Sequence, residues 1–254
     1  MFMEERLNEI LELVKKNNKV LVKDLSNKFN VTESMIRKDL NKLEKEGLVE
    51  RTYGGAILPR NLAESTNISN RLINNIDTKK IIANKAFENI KDNDTIFLDI
   101  SSTNYLLAEL LSKSSKKITL VTNMVEITSL FNNPELKIDV ICIGGMYNKK
   151  LGGVVGSEAI QGISKYRFNK AFIGSCGINI FDKSINNFDL EEGNTKKAII
   201  EASNKTYLLI ENRKFNFDGT YKFGTLSDIN YIITENTPDS KILKIINKLS
   251  INII

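Results

Sequence analysis

The sequence has no histidine and no tryptophan, and its 254 residues include only two cysteines and three prolines. The absence of histidine removes the most common general base and the most common metal ligand, so catalysis would have to depend on Asp, Glu, Lys, Ser or Cys. Cys142 and Cys176 stand in short runs of apolar and small residues. Such surroundings favour buried free thiols over a redox pair or a metal site. The sequence therefore predicts neither a metal centre nor a bound cofactor.

Long apolar runs are also absent. No segment approaches the roughly 20 residues that a membrane-spanning helix requires, and the first ten residues, MFMEERLNEI, have no apolar core of the signal-peptide type. We therefore expect a cytoplasmic protein without a membrane partner. The formal charge of +5 is only mildly basic, so any nucleic-acid surface must be a local patch.

Apolar residues recur at helical spacing in three stretches near the amino terminus. Two short helices are predicted around residues 7–14 and 25–29. A third is predicted over residues 33–46, because Thr32 is suited to cap its first turn and Gly47 to end it in a left-handed conformation.

The stretch LVERTYGGAILP follows, with two β-prone pieces around a glycine pair. This pattern predicts a hairpin with a glycine turn. Three short helices and a hairpin predict a winged helix-turn-helix domain over residues 1–58, whose third helix enters the major groove of DNA.

The apolar stripe of the third helix leaves its other face polar and basic. Long cationic side chains there can donate to phosphates and guanine edges, although most charged helix faces are merely solvated. The glycine pair favours DNA contact, since bare backbone can approach a phosphate closely, and Asp39 can fix a neighbouring cation. The predicted DNA-contacting residues are Ser34, Met35, Arg37, Lys38, Asn41, Arg51, Tyr53, Gly54 and Gly55.

Residues 59–78 are polar and rich in asparagine, which predicts a linker. Over residues 79–254 helix and strand patterns alternate, which predicts a mostly parallel sheet with helices on its faces. The predicted fold is therefore α/β, with the winged helix-turn-helix followed by a larger domain. In such sheets ligands bind at the carboxyl ends of the strands.

One strand end has the features of an anion site. In FLDISSTNYLLAEL a strand ends at Asp99, a polar turn follows, and a helix is predicted to begin near Asn104. Free N–H groups and hydroxyls then converge where the helix dipole favours an anion. An ordinary strand-to-helix turn with a Ser or Thr cap is the alternative.

Two long stretches of the sequence resemble one family. VTESMIRKDLNKLEKEGLVERTYGGA resembles the DNA-binding domain of DeoR-type bacterial transcription regulators. IFLDISST, LVTNMVEI, ICIGG, VVGSEA, AFIGSCGI, DLEEGNTKKAII and RKF resemble the sensor domain of the same family. The resemblance implies a larger domain related in fold to ribose-5-phosphate isomerase, with a phosphorylated sugar as effector.

Three positions depart from the usual text of that family. Met35 stands in place of Thr, Ser101 in place of Gly, and Glu211 in place of Asp. Because serine disfavours positive φ, the change at Ser101 is expected to reshape the loop before the helix.

Other polar groups follow predicted strands. Lys214 matches a lysine of the family's usual sequence, and its positive charge would neutralise part of the charge of a bound phosphate. Lys196 or Lys197, by contrast, could simply face solvent. The predicted effector-binding residues are Asp99, Ser101, Ser102, Thr103, Asn104, Thr122, Asn123, Gly144, Gly145, Gly174, Gly177, Glu192, Lys196 and Lys214.

Together these patterns predict a sequence-specific repressor of a carbohydrate-utilisation operon, a homo-oligomer that binds double-stranded operator DNA and responds to a phosphorylated sugar. An isomerase-like enzyme carrying a DNA-binding domain is the alternative, with Asp99, Glu192 and Lys214 as candidate acid, base and electrostatic partner. The loop GSCGIN contains no carboxylate for the base, which disfavours turnover. A purely architectural DNA-binding protein would leave the polar strand ends without a role.

Overall fold

The computed structural model describes residues 2–17, 19–63 and 65–254 of the protein. The chain divides into two compact units, an amino-terminal unit (Met1–Asn61) and a carboxy-terminal unit (Leu62–Ile254). The division lies inside the segment 59–78 that the sequence predicts as a linker. Within the described ranges, no helix combines the length and the apolar character needed to cross a membrane.

The amino-terminal unit contains the predicted three helices and a small antiparallel sheet of strand order β1-β3-β2. Its elements are α1 (Met3–Asn17), β1 (Lys19–Leu21), α2 (Val22–Phe29), α3 (Glu33–Lys45), β2 (Glu50–Thr52) and β3 (Gly55–Ile57). Strand β1 was not predicted, because three residues are too few to show an alternating pattern. The helices bury Ile10, Val14, Ile36 and Leu40 completely, so the winged helix-turn-helix has its own core.

Local signals in the sequence account for both ends of α3. The Thr32 side chain accepts a hydrogen bond from the backbone N–H of Met35 at 3.3 Å, which satisfies one free donor of the first turn. Gly47 has φ +71°, the left-handed conformation that glycine adopts without strain.

The hairpin differs from the prediction at one glycine. Its turn lies at Tyr53 and Gly54, where Gly54 has φ +80°. Gly55 instead begins β3 and is buried, since a Cβ at that position would lie 2.0 Å from the carbonyl oxygen of Val20 in β1. The prediction that both glycines form an exposed turn is therefore wrong for Gly55, whose missing side chain allows two strands to approach.

The carboxy-terminal unit is built on a parallel seven-stranded sheet of order β17-β16-β13-β10-β5-β6-β7, which confirms the predicted α/β fold. Its helices are α4 (Ile68–Ile73), α5 (Ile76–Glu88), α6 (Ser102–Leu111), α7 (Val125–Thr128), α8 (Ser157–Ile163), α9 (Leu190–Glu201) and α10 (Ser240–Lys248). The strands of the large sheet are β5 (Thr95–Leu98), β6 (Ile118–Thr122), β7 (Ile138–Cys142), β10 (Lys170–Gly174), β13 (Thr206–Leu209), β16 (Tyr231–Ile233) and β17 (Asn252–Ile253). Shorter strands are β4 (Asn61–Leu62), β8 (Met146–Asn148), β9 (Gly153–Val155), β11 (Gly177–Asn179), β12 (Ser184–Asn187), β14 (Phe217–Asp218) and β15 (Tyr221–Thr225).

Both faces of the large sheet are covered. Along β5, Phe97 packs into one buried apolar cluster, whereas Ile96 and Leu98 pack into the other. This alternation is the two-residue period of a strand. The chain order reverses at β5, with β6 and β7 on one side and β10 on the other, so the crevice between the carboxyl ends of β5 and β10 is the topological switch point where α/β sheets bind ligands.

The later part of the segment 59–78, residues 67–78, is more ordered than a linker pattern suggests. It contains α4 and the first turn of α5, and Ile68 is buried. A Cβ at Gly152 would lie 2.7 Å from the Ile68 side chain, so this helix packs tightly on its unit. Tertiary packing here outweighs a weak local helix signal.

Candidate functional site

The outer face of α3 presents the polar side chains that the sequence predicts to contact DNA. Ser34, Met35, Arg37, Lys38 and Asn41 are all exposed, and Met35 retains 43% of its accessible surface. The opposite face of the helix is buried in the core. The outer face of α3 is therefore exposed to solvent.

Arg51 lies beside this face but is already engaged. Its guanidinium donates to the main-chain oxygen of Arg37 at 3.3 Å and to the Asn41 side-chain oxygen. Its backbone N–H donates to Glu44 at 2.9 Å. Arg51 thus fixes β2 against α3, while Tyr53 stands fully exposed at the turn.

A buried ion pair holds α1 against α3. Arg6 Nε lies 2.6 Å from Asp39 Oδ2, and Arg6 Nη2 lies 3.2 Å from Asp39 Oδ1. The hydrogen bond to Asp39 raises the pKa of Arg6. Asp39 therefore does fix a cation, from the first helix.

In the carboxy-terminal unit, α6 begins directly after the turn that follows β5. Ser101 caps the helix by accepting a hydrogen bond from the Asn104 N–H at 3.1 Å, and α6 starts at Ser102, earlier than predicted. Ser101 has φ −154°, an extended conformation open to any residue. The expectation that serine reshapes this loop is therefore wrong.

The first turn of α6 has unused hydrogen-bonding groups. Among the described residues, the backbone N–H groups and the hydroxyls of Ser102 and Thr103 have no hydrogen-bond partner. Both side chains are largely buried. Such donors at a helix amino terminus form a site suited to an anion.

Behind this turn lies a buried cluster of charges. The Asp99 carboxylate accepts hydrogen bonds from the Gly174 N–H at 3.0 Å and the Asn104 side-chain amide at 2.6 Å, and it pairs with Lys196. Lys196 also lies 3.3 Å from Glu192. Burial by itself would lower the pKa of Lys196, but the charges of both carboxylates raise it. The buried ammonium therefore stays protonated.

Two further cations approach the cluster. Lys214, on a 3-10 helix (Asn212–Asn216), donates to the main-chain oxygen of Ser175 at 2.7 Å. Burial lowers the pKa of Lys214 and the charge of Arg71 acts in the same direction, whereas Glu211 opposes it. The charge of these cations favours an anion in their neighbourhood.

Arg71, on α4, was missed because a single arginine in an asparagine-rich stretch gives no signal. It donates to the main-chain oxygen of Leu151 at 3.1 Å, and its buried Nε has no partner among the described residues. Burial lowers the pKa of Arg71, and the charges of Glu192 and Asp99 raise it. The guanidinium is thus close enough to the cluster for their charges to act on it.

The structure brings most of the predicted effector residues to the carboxyl end of β5 and its neighbouring strands. Asp99, Ser101, Ser102, Thr103, Asn104, Gly174, Glu192, Lys196 and Lys214 surround the switch point, and Lys197 faces solvent. Thr122 is fully buried and donates to the Leu98 main-chain oxygen at 2.8 Å, while Asn123 donates to that of Val154 at 2.9 Å.

Three of the predicted glycines lie outside this group of residues. Gly144 and Gly145 follow the edge strand β7, two strands from β5. Gly177 lies in β11, where a Cβ would lie 2.0 Å from the Phe217 carbonyl oxygen. Close packing accounts for Gly177 without any ligand.

The two thiols differ from each other. Cys142, at the end of β7, is exposed, so its prediction as a buried thiol is wrong. The sheet edge leaves it uncovered. Cys176 donates to the main-chain oxygen of Asn186 at 3.1 Å, and burial raises its pKa to about 12. An unreactive Cys176 follows, since only the thiolate is nucleophilic.

Comparison with known proteins identifies the parts of the chain. Residues 6–61 match the DeoR-like helix-turn-helix domain, and residues 74–236 match the DeoR C terminal sensor domain. The HTH-type transcriptional regulator GolR of Listeria innocua is 32% identical over 247 residues, which cover 96% of this chain and 95% of that protein. The glycerol-3-phosphate regulon repressor of Escherichia coli is 31% identical over 242 residues, which cover 95% of this chain and 94% of that protein.

Among solved structures, ribose 5-phosphate isomerase A of Neisseria gonorrhoeae is similar with a TM-score of 0.39 and 20% identity, over 54% of this chain and 52% of that chain. The two family models and the full-length relatives give one result: the chain belongs to the DeoR family of transcriptional regulators.

Proposed function

We propose that this regulator represses a carbohydrate-utilisation operon and that a phosphorylated sugar, bound at the switch point of the carboxy-terminal unit, controls its affinity for operator DNA. The observation that carries the proposal is the set of free donors at the start of α6 beside the cations Lys214 and Arg71. A phosphate dianion would satisfy both groups at once. The relative from Escherichia coli is named for a regulon of glycerol 3-phosphate, a phosphorylated polyol.

DNA recognition is assigned to residues 1–58. In this proposal α3 enters the major groove, where Arg37 and Lys38 donate to phosphates or guanine edges and Met35 contacts a thymine methyl group. Ser34 and Asn41 complete the helix face, Gly54 and Tyr53 approach the backbone, and Arg51 orients the hairpin. Gly55 has no part in it, because it is buried.

Effector binding is assigned to residues 79–254 together with Arg71 from the segment 59–78. We propose a homo-oligomer in the cytoplasm whose paired reading heads bind repeated half-sites. Effector binding would then change the arrangement of the two DNA-binding domains of the oligomer. The coupling free energy between effector binding and DNA binding is expected to be about 1–3 kcal/mol.

A binding role suits the charge cluster better than turnover. An isomerase needs a carboxylate that can take a proton from the substrate. Both oxygens of Asp99 already accept hydrogen bonds, and the residue is almost fully buried. Glu192 is in turn paired with Lys196. The isomerase-like alternative therefore has no free base among these residues.

The decisive experiment is a fluorescence-anisotropy titration of the full chain against DNA from upstream of its own gene. Random DNA of equal length is the control, and each titration is run at two salt concentrations with glycerol 3-phosphate, ribose 5-phosphate, glucose 6-phosphate or their unphosphorylated parents. We expect salt-dependent preference for the upstream DNA and a roughly 5- to 150-fold change in affinity with one phosphorylated compound. Equal affinity for both DNAs under every condition would refute the proposal at that operator.

A further inference from the structure

Beyond the phosphate-binding groups, two buried polar side chains near the switch point have no hydrogen-bond partner among the described residues. Asn187, in β12, is 2% exposed, and neither its amide oxygen nor its amide nitrogen is paired. Ser175, directly after β10, is 7% exposed, and its hydroxyl is unpaired. Burying such groups without partners costs free energy, so a ligand or an ordered water has to satisfy them.

The two residues lie near the same end of a pair of strands. Strands β11 and β12 pair antiparallel with Gly177 opposite Asn186 as the last pair, so Asn187 and Ser175 both lie just beyond that pair. The Cys176 N–H donates to the Asn186 main-chain oxygen at 3.1 Å and closes this end of the ladder. Asn187 and Ser175 therefore flank one strand end.

That strand end adjoins the proposed phosphate site. The main-chain oxygen of Ser175 accepts the hydrogen bond from Lys214. Gly174 donates to Asp99, and a Cβ on Gly174 would lie 2.8 Å from the Ser101 side chain. The charges of Lys214, Glu192 and Lys196 all act on the Cys176 thiol, which places the cluster beside this strand end.

These uncharged side chains can both donate and accept hydrogen bonds, which is the combination that hydroxyl groups need. A carboxamide can accept a hydrogen bond from one hydroxyl and donate one to its neighbour, and a serine hydroxyl can do either. A vicinal diol presents that combination. A site that forms hydrogen bonds to the hydroxyl groups of its ligand binds analogues without those hydroxyl groups much more weakly.

We infer that Asn187 and Ser175 bind the hydroxyl groups of the effector and make the site selective for a polyhydroxylated phosphate over inorganic phosphate. The inference rests on the proposed function, because it assumes that the adjoining groups hold the phosphate. It assigns Asn187 to specificity, whereas Lys214 and the start of α6 supply the attraction common to all phosphates.

The test replaces Asn187 by Leu, which keeps the number and branching of the side-chain heavy atoms and removes both polar groups. Binding of glycerol 3-phosphate, ribose 5-phosphate and inorganic phosphate to the full chain is measured by calorimetry, and thermal unfolding is measured without ligand. We expect at least a tenfold loss of affinity for the compound that the wild type binds best, and less than a twofold change for inorganic phosphate. The melting temperature of the free variant should stay equal or rise, because no hydrogen bond within the protein is lost.

The matched control is Asn186→Leu, which removes the neighbouring buried amide that donates to Ser184 at 3.3 Å. It should lower the melting temperature and leave the preference between the phosphates unchanged. An Asn187→Leu variant that keeps the wild-type preference between the phosphates would overturn the inference alone. A water molecule would then be what satisfies the Asn187 amide in the wild type. A wild type that binds neither inorganic nor organic phosphates would overturn the inference together with the proposed function.

Discussion

Each unit of the protein contains a buried ion pair, and the two pairs are built differently. In the amino-terminal unit Arg6 and Asp39 satisfy each other through two hydrogen bonds. In the carboxy-terminal unit Asp99 is shared by Lys196, an amide side chain and a backbone N–H, and polar groups close by have no partner among the described residues. A closed pair holds two helices together, whereas an open cluster at a sheet switch point leaves groups for a ligand.

The contrast has an energetic basis. Removing a charge from water costs several kcal/mol per ion, and a partner must offset that cost in both units. The Arg6–Asp39 pair can be exchanged for apolar side chains without leaving polar groups behind. Around Asp99 such an exchange would leave the Gly174 N–H and the Glu192 carboxylate without partners, so the cluster is tied to its surroundings in a way that the closed pair is not.

The largest loss of stability is expected when the Arg6–Asp39 pair is broken. Asp39→Ala leaves the Arg6 guanidinium buried without a partner and should lower the free energy of unfolding by about 3–5 kcal/mol. Urea denaturation of the full chain measures this change. The double variant Arg6→Met, Asp39→Leu should recover most of the loss, and a single variant that loses less than about 1 kcal/mol would contradict the assignment.

The same exchange should fail in the open cluster. Asp99→Leu combined with Lys196→Met leaves the Gly174 N–H and the Glu192 carboxylate without partners, whereas the Asn104 amide still donates to the main-chain oxygen of Phe172 at 2.7 Å. We expect the double variant to remain at least about 2 kcal/mol less stable than the wild type, since each orphaned buried group costs about 1–3 kcal/mol. Urea denaturation again provides the measurement. Recovery as complete as in the amino-terminal unit would remove the distinction between the two pairs.

Local features of the two sites could be predicted from the sequence, because they depend on a few adjacent residues. Thr32 and Gly47 mark the ends of α3, and the polar turn after Asp99 marks the start of α6. The roles of Gly55 and Ser101 could not be predicted. Whether a glycine is needed for its φ or for close packing depends on which strand lies opposite, and whether a serine strains a loop depends on the conformation that the loop adopts.

The remaining site residues carry no signal in the sequence for a different reason. Arg71 lies in a stretch that shows almost no helical period, and only packing on the sheet domain orders α4. Asn187 and Ser175 are ordinary polar residues until the fold buries them without partners. Whether a buried polar group has a hydrogen-bond partner depends on the tertiary structure, so no rule based on residue spacing can predict it.

An exposed ion pair on α3, between Arg37 and Glu33, contrasts with both buried pairs. Arg37 lies 2.6 Å from Glu33 on the surface of α3, and exposed pairs four residues apart contribute only about 0.3–0.5 kcal/mol. Arg37→Ala should therefore hardly change stability while weakening operator binding by about 1–3 kcal/mol. Anisotropy titrations against operator and random DNA measure this, with the exposed Lys16→Ala on α1 as the charge-matched control. Equal losses on both DNAs would make Arg37 a phosphate contact without sequence preference.

The smallest expected change in stability concerns Lys79. Lys79 is a buried cation that contacts no carboxylate among the described residues. Its ammonium donates to the main-chain oxygens of Arg71 and Asn74 at the end of α4. Burial lowers its pKa from 10.5 to about 8, and the charges of Lys214, Arg213 and Arg71 act in the same direction, whereas Glu211 opposes them.

Between pH 8 and 10.5 the folded chain has therefore lost a proton at Lys79 that the unfolded chain still holds, and the free energy of unfolding should rise with pH across this window. Below pH 8 both states are protonated and Lys79 contributes no slope. Urea denaturation at several pH values should show this rise in the wild type and a shallower one in Lys79→Met. Parallel curves for the two proteins would mean that Lys79 keeps its ordinary pKa, and that the buried ammonium needs no carboxylate because the two carbonyl oxygens suffice.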